Sequence, residues 1–316
     1  MGKKKLENLL GSKIVNSPRI GIVTVLYNSE DVLSEYYHSL NIQSYKNFIL
    51  YVVDNNSPDN SLKHSQSLLK LVNFKYLIIE NESNFGVAKG NNIGIRQALK
   101  GGCDLILLSN NDIKLKNDTI QILMNGMVLS KADMAVPKIY YYKTNKLWFA
   151  GGQIDKIKGV TRHRGIGEED IGQYDETELI GYAPTCFMLI DKIIFLKVGM
   201  MDEAYFVYYD DTDFVFRVID KYHQDLIYIP SSTIEHNESH STGGGESPFT
   251  LFYKSRNRIY FMRKHLKRHQ VVRVFLVVML KHIIKYLINY KKSRVAWRQG
   301  ISGLIEGLQL EIDEEY

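Results

Sequence analysis

Two places in this 316-residue chain put a carboxylate, or a cluster of them, where a reacting group would need it. The first ends the run Leu105-Ile106-Leu107-Leu108-Ser109-Asn110-Asn111-Asp112. An apolar run of this length reads as a buried strand, so Asp112 stands just past a rigid element. Oxygen ligands suit Mg²⁺ or Mn²⁺, with substrate phosphates completing the shell. A plain turn is the alternative for Asp112 taken alone. The second place is Tyr208-Tyr209-Asp210-Asp211-Thr212-Asp213. Crowded carboxylates raise one another's pKa, which suits a general base. Helix capping by Asp210 or Asp211 reads the same residues structurally, and both readings can hold at once.

Three further features lie downstream. His236 follows a strand-like run and is either a metal or phosphate ligand or a structural histidine. The glycine-rich stretch 241–245 has the composition of a lid. Tyr253-Lys254-Ser255-Arg256-Asn257-Arg258 brings cations suited to a diphosphate or a lipid phosphate.

The elements that must position these groups are legible in outline. After a polar tail (1–18), β-branched runs at 19–27, 48–53, 74–79 and 104–108 alternate with helical patterns. Four such alternations predict a parallel sheet with helices on both faces. Ligands bind such sheets outside the carboxyl ends of the strands. There the chain carries Tyr27-Asn28, Asp54-Asn55-Asn56, the Asn-rich stretch 81–92 and Asn110-Asn111-Asp112. Asp118 is expected to cap a helix. Residues 134–142, 182–190 and 226–229 read as strands, and 211–222 as a short helix.

Bulk properties narrow the class. Apolar content is ordinary for a globular protein, and six prolines argue against long disorder. Two cysteines in apolar runs, Cys103 and Cys186, read as buried free thiols of a reducing compartment. The N-terminal stretch lacks a signal-like apolar segment, so a cytoplasmic location is expected. Net charge is +5, but residues 248–305 hold fourteen Lys and Arg and no acid, leaving 5 − 14 = −9 for the remainder. So pure a basic segment calls for an anionic partner. Residues 271–290 are apolar yet include Arg273, Lys281, His282 and Lys285, which disfavours a spanning helix. An interfacial helix on anionic lipid fits better, with an ordinary buried helix as the alternative.

Taken in order, these motifs resemble family 2 glycosyltransferases of the GT-A fold, in particular a bacterial rhamnosyltransferase-like branch. The resemblance spans about residues 19–265 and leaves 266–316 as a basic amphipathic helical region. It rests on Val23-Thr24-Val25-Leu26-Tyr27-Asn28, Val52-Val53-Asp54-Asn55-Asn56-Ser57, the string 84–94, Ser109-Asn110-Asn111-Asp112, Gly199-Met200-Met201-Asp202-Glu203, Asp210-Asp211-Thr212-Asp213, His236 and Arg256-Asn257. It implies a Rossmann-like mixed sheet with helices on both faces and a C-terminal helical extension. It implies a nucleotide pocket lined by Thr24, Tyr27 and Asn28, with Asp54 bonding the base and Asn56 beside it. Asn84, Gly86, Lys89 and Asn91 would lie against nucleoside and phosphates. Asn110, Asn111 and Asp112 would form the family's "DXD" element, with Asp112 and His236 on Mg²⁺ or Mn²⁺. Asp211 would be the catalytic base; Asp210, Asp213, Arg256 and Asn257 would orient sugar or acceptor. Three positions depart from the pattern: Asn110 replaces an Asp, Asp210 shortens the usual Glu, and Pro184-Thr185-Cys186 stands where Gly and small residues are common.

One base and no evident enzyme nucleophile point to single displacement with inversion. The resemblance implies a nucleotide-sugar donor, dTDP-rhamnose or a UDP-sugar. It also implies a glycan or lipid-linked glycan acceptor, met at the inner face of the cell membrane by a peripheral enzyme. A homo-oligomer is compatible with this. A P-loop and a dinucleotide fingerprint are absent from the sequence. A pyrophosphorylase would need a Gly-rich basic loop after the first strand. A non-catalytic binding module need not keep Asp211. Nucleic acid is disfavoured because the C-terminal cations alternate with aliphatic runs.

Overall fold

The computed structural model describes residues 17–237, 247–288 and 291–312. Nearly all of the expected tail and the glycine-rich stretch 241–245 lie outside the described residues. The first half follows the expected alternation. Strands β1 (Ile20–Leu26), β2 (Phe48–Asp54), β3 (Lys75–Glu80) and β4 (Leu105–Ser109) alternate with α1 (Leu33–Asn41), α2 (Ser61–Leu69) and α3 (Gly86–Lys100). The four strands pair in parallel in the order β3-β2-β1-β4. β4 is buried along its whole length, as continuous apolar strands between helical layers are. Gly94 of α3 sits where an added Cβ would strike Val23, so the helix lies close on the sheet.

The complete sheet is mixed rather than parallel. β11 (Phe187–Asp191) inserts antiparallel between β4 and β6 (Met134–Tyr141), and β12 (Leu226–His236) runs parallel to β6. Because Phe187 pairs with Ser109, β11 begins at the carboxyl end of β4. The loop that feeds it, 182–186, therefore lies on the ligand edge. The strand expected over 182–190 is shorter for a local reason: Pro184 has no N–H to give a ladder. Conversely, β12 runs past the expected end at Ile229. The register shifts between Ile229 and Thr233, where the chain reads Pro230-Ser231-Ser232, and the strand resumes to His236.

Shorter elements escaped sequence reading. They are β5 (Ile113–Leu115), β7 (Leu147–Phe149), the β8 (Gly152–Asp155) and β9 (Val160–His163) hairpin, and β10 (Glu178–Leu179). Asp118 makes no side-chain cap on α4 (Thr119–Ser130); instead Thr119 Oγ1 accepts the Lys116 N–H at 3.0 Å. After α5 (Lys192–Lys197), helix α6 (Asp210–Phe216) passes into a wider π turn, Arg217–Lys221.

The C-terminal helices are α7 (Pro248–His265), α8 (Arg268–Ile288) and α9 (Lys291–Gln309). A second apolar core joins Tyr205 and Phe216 to Phe261, Met262, Val274 and Leu304. α9 closes tightly on α7: a Cβ at Gly303 would collide with the carbonyl of Phe252, and one at Gly307 with that of Arg256. Among the described residues, no helix is long and apolar enough to cross a membrane.

Candidate active site

The carboxyl ends of β1, β2 and β4 and the start of α3 form one edge. Asp54, at the end of β2, is 3% exposed. Its Oδ2 accepts the Ser57 N–H at 3.3 Å, while its buried Oδ1 has no hydrogen-bond partner among the described residues. Asn55 ties this edge to α3, donating to the Gly86 carbonyl at 2.9 Å and accepting from Asn81 at 2.8 Å. Asn84 Oδ1 accepts the Gly86 N–H at 2.9 Å. Gly86 has φ +80°, and a Cβ there would run into the Phe206 carbonyl, so only glycine fits. Lys89 places its ammonium 4.1 Å over the Phe85 ring, and Asn91 is buried along α3. Tyr27 is half-buried; Asn28 and Asn56 are exposed and take left-handed backbone at φ +53° and +55°. Thr24 lies two residues before the carboxyl end of β1 and has no exposure.

The strand-end triplet divides its work. Asn110 is exposed, and its N–H donates to the Cys186 carbonyl at 2.7 Å. Asn111 is buried and donates to the Val25 carbonyl at 2.8 Å, locking β4 to β1. Asp112 alone brings charge. The next residue, Ile113, pairs with His236 across β5 and β12, and the Asn237 N–H donates to the Asp112 carbonyl at 2.8 Å. This ladder sets Asp112 Oδ1 3.2 Å from His236 Nε2. Both atoms are buried, and neither makes a hydrogen bond among the described residues. Burying such groups without partners is costly. An oxygen and a nitrogen donor at this separation fit adjacent ligands of one Mg²⁺ or Mn²⁺, whose bonds are about 2.1 Å. No group of three or more His, Cys, Asp or Glu able to hold a metal occurs among the described residues. The pair therefore fits an ion whose shell is completed by diphosphate and water.

The acidic cluster opens α6. Tyr208 and Tyr209 precede it in consecutive left-handed conformations, φ +64° and +67°. Such conformations cost about 1–3 kcal/mol each for bulky residues and persist only when held. Asn257 supplies the hold, donating to the carbonyls of Val207 and Tyr208 at 2.8 Å each. Arg256 donates to Asn257 Oδ1 at 2.8 Å and to the Ala204 carbonyl at 2.6 Å. Both side chains are thus engaged beneath the loop, not turned to a sugar or acceptor.

Asp213 is likewise inside, with no exposure. It binds Arg217 at 2.7 Å, His265 at 2.6 Å and Lys264 at 3.2 Å. His265 and the two cations hold its carboxyl far below the usual range despite burial. Its i,i+4 spacing to Arg217 turns it into the second core, which corrects the expected contact with substrate. Asp210 is buried beside Asp211; burial first, and the neighbouring charge second, push its carboxyl up to about 8. Asp211 is half-buried at the head of the helix. Neither Asp caps α6 from outside, since both already lie within its first turn.

Four residues not singled out for this site close it. Tyr182 donates to Asp211 Oδ2 at 2.6 Å. Its ring stacks on His163 at 5.9 Å between centroids. His163 stands edge-on to Trp148 at 4.8 Å, and Trp148 edge-on to His236 at 4.7 Å. Cys186 is a buried free thiol, kept protonated by burial and by the charges of Asp112 and Asp211. A row of rings thus spans from the base candidate to the metal candidate. The aromatic content of 147–149 and 160–163 was the available signal, but only the β8–β9 hairpin brings those segments together.

Comparison with known proteins agrees with this arrangement. The model of the glycosyl transferase family 2 matches residues 21–198, more than half of the chain. The dTDP-rhamnosyl transferase RfbF of Shigella flexneri is 27% identical over 256 residues, 71% of this chain and 78% of that one. The low-salt glycan biosynthesis hexosyltransferase Agl10 of Haloferax volcanii is 23% identical over 301 residues, 92% of this chain and 91% of its own. The crystal structure of GalNAc-T7 with UDP, GalNAc and Mn²⁺ superposes with a TM-score of 0.65 at 13% identity. It covers 94% of this chain, which spans 57% of that protein. With its mixed sheet, its strand-end triplet and its acidic helix start, the chain belongs to glycosyl transferase family 2.

Proposed function

We propose that the protein is a metal-dependent, inverting hexosyltransferase that moves rhamnose from dTDP-rhamnose to a hydroxyl of a glycan or lipid-linked glycan. The observation that carries this is the buried pair Asp112 and His236, 3.2 Å apart and without hydrogen bonds at those atoms among the described residues, beside an acidic helix start. Asp54 Oδ1, likewise without a partner among the described residues, suits the ring N–H of a pyrimidine base. Tyr27, Asn28, Asn56, Asn84, Gly86, Lys89 and Asn91 surround the nucleotide in this reading. Asp112 and His236 hold Mg²⁺ or Mn²⁺ against the diphosphate. A bound divalent ion would stabilise charge on the leaving oxygen as a Lewis acid. Asp211 accepts the proton of the acceptor hydroxyl as that oxygen attacks the anomeric carbon from the face opposite the diphosphate. Asp210 flanks the base, while Arg256, Asn257 and Asp213 hold its helix in place.

The donor assignment leans on the name of the Shigella relative. A UDP-sugar is the second reading, favoured by the UDP in the superposed GalNAc-T7 structure and by the N–H that uracil shares with thymine. Thermal shift with UDP, dTDP and GDP, each with and without Mn²⁺, tests both. A Mn²⁺-dependent rise for dTDP supports the first reading, and one for UDP alone the second. No rise with any of them sinks the nucleotide-sugar assignment.

The C-terminal region supports an inner-membrane-face location. On α8, Val272, Leu276, Val277, Leu280, Ile284 and Leu287 are exposed on one side. Exposed Arg268, Arg273 and Lys281 accompany them without any acid. An apolar strip this long with basic neighbours suits an anionic bilayer surface. His282 does not join it: the side chain is buried against Ser255 at 2.9 Å, and burial with the charges of Lys281 and Arg258 lowers its pKa to about 4.

A further inference from the structure

Tyr182 stands on the loop that crosses the ligand edge before β11. It is 3% exposed, and its hydroxyl donates to Asp211 Oδ2 at 2.6 Å. The other carboxylate oxygen, Oδ1, accepts the Thr212 N–H at 2.6 Å and the Thr212 hydroxyl at 3.1 Å. The carboxylate is therefore gripped at both ends. On Oδ2, lone-pair capacity remains for an acceptor hydroxyl. Burial and the adjacent carboxylate push the Tyr182 phenol well above its usual range, so it stays a donor at any working pH.

Asp210 and Tyr209 lie beside Asp211 on its own segment, and the charge of Arg258 acts on Tyr209. Cys186 and Tyr182 face Asp211 from the loop before β11. Behind Tyr182, the rings of His163 and Trp148 lead to His236.

We propose that Tyr182 is a positioning residue for the base: it fixes the plane of the Asp211 carboxylate and is itself held at a set distance from Asp112 and His236 through His163 and Trp148. This rests on Asp211 being the base.

The test is Tyr182→Phe in the full chain, which keeps the ring stack and removes only the donor. Asp ¹³C-carboxyl resonances are recorded by NMR at neutral pH, with the Asp211 signal assigned by its loss in Asp211→Asn. Losing the hydroxyl that donates to Oδ2 should displace the Asp211 resonance. Turnover should fall about tenfold or more at neutral pH, with nucleoside diphosphate affinity unchanged. A melting temperature within error of wild type shows that the packing survives. An unmoved Asp211 resonance overturns the proposal, whatever happens to the rate. The base reading fails separately: Asp211→Asn would then retain turnover while the resonance still shifts in Tyr182→Phe.

Discussion

Asp112 and His236 come from segments more than a hundred residues apart, yet Oδ1 of one lies 3.2 Å from Nε2 of the other. The pairing of Ile113 with His236 across β5 and β12 brings this about. With two protein donors among the described residues, ion binding and diphosphate binding should be cooperative. In wild type, Mn²⁺ should tighten dTDP or UDP markedly by calorimetry, and the nucleoside diphosphate should tighten Mn²⁺ equally. His236→Ala should weaken the ion by at least about 100-fold, the upper range seen when only a ligand's outer partner is lost. Equal diphosphate affinity with and without Mn²⁺ would contradict the assignment.

Asp211 is the group of the acidic cluster best placed to take a proton from an acceptor. Asp213 is enclosed by Arg217, Lys264 and His265, and Asp210 is buried. Asp211→Asn should lower turnover by about 10²–10⁴, the usual share of general-base catalysis. Mn²⁺-dependent diphosphate binding should persist. Turnover within a few-fold of wild type would show that the base lies elsewhere.

The contrast among these three carboxylates also shows where sequence reading stops. The alternation of β1 to β4 with helices was legible because buried parallel strands are continuous apolar runs ended by polar clusters. The edge residues Asp54, Asn84, Gly86 and Asp112 follow from that register. Asp213 looked like its neighbours, but its facing depends on a helix phase and on cations fifty residues away. Arg256 and Asn257 were expected at sugar or acceptor because the resemblance carried them there, and a sequence does not show which partner a guanidinium or an amide meets. Their donors meet backbone carbonyls of Ala204, Val207 and Tyr208 instead. Tyr182 and His163 escaped notice because each sits in a short, irregular or two-stranded segment without periodicity.

Asp210 links acidity to stability. Burial and the charge of Asp211 push its carboxyl up to about 8, so the folded protein keeps a proton there that the unfolded chain releases near pH 4. By linkage, this residue's contribution is intact below the unfolded value and is lost as pH rises through the folded one. Asp210→Asn should flatten that slope. At pH 8 it should gain about 1–3 kcal/mol in urea unfolding relative to wild type, while at pH 4 the two should be alike. A parallel offset at all pH values would mean that the effect is packing rather than ionisation.

The outer face of α8 carries a row of large apolar side chains that the other described residues leave uncovered. Val272, Leu276, Leu280 and Leu287 are between 51% and 64% exposed, although α9 and α7 pack against the helix from the other side. Solvation of so much hydrocarbon is unfavourable at about 25 cal/mol per Å², and burial in the headgroup zone would relieve it. The basic residues then set the lipid preference. Sedimentation should show the full-length protein on vesicles with phosphatidylglycerol and not on purely zwitterionic ones. Adding salt should release it in part. Leu276→Glu together with Leu280→Glu should weaken vesicle binding by more than about tenfold without changing Mn²⁺-dependent diphosphate binding, since two apolar side chains are lost from the interface. If the doubly substituted protein still sediments fully, α8 is not the docking face. A shift from dimer to monomer in the same variant, with vesicle binding absent from both, would instead assign the strip to a second copy of the chain.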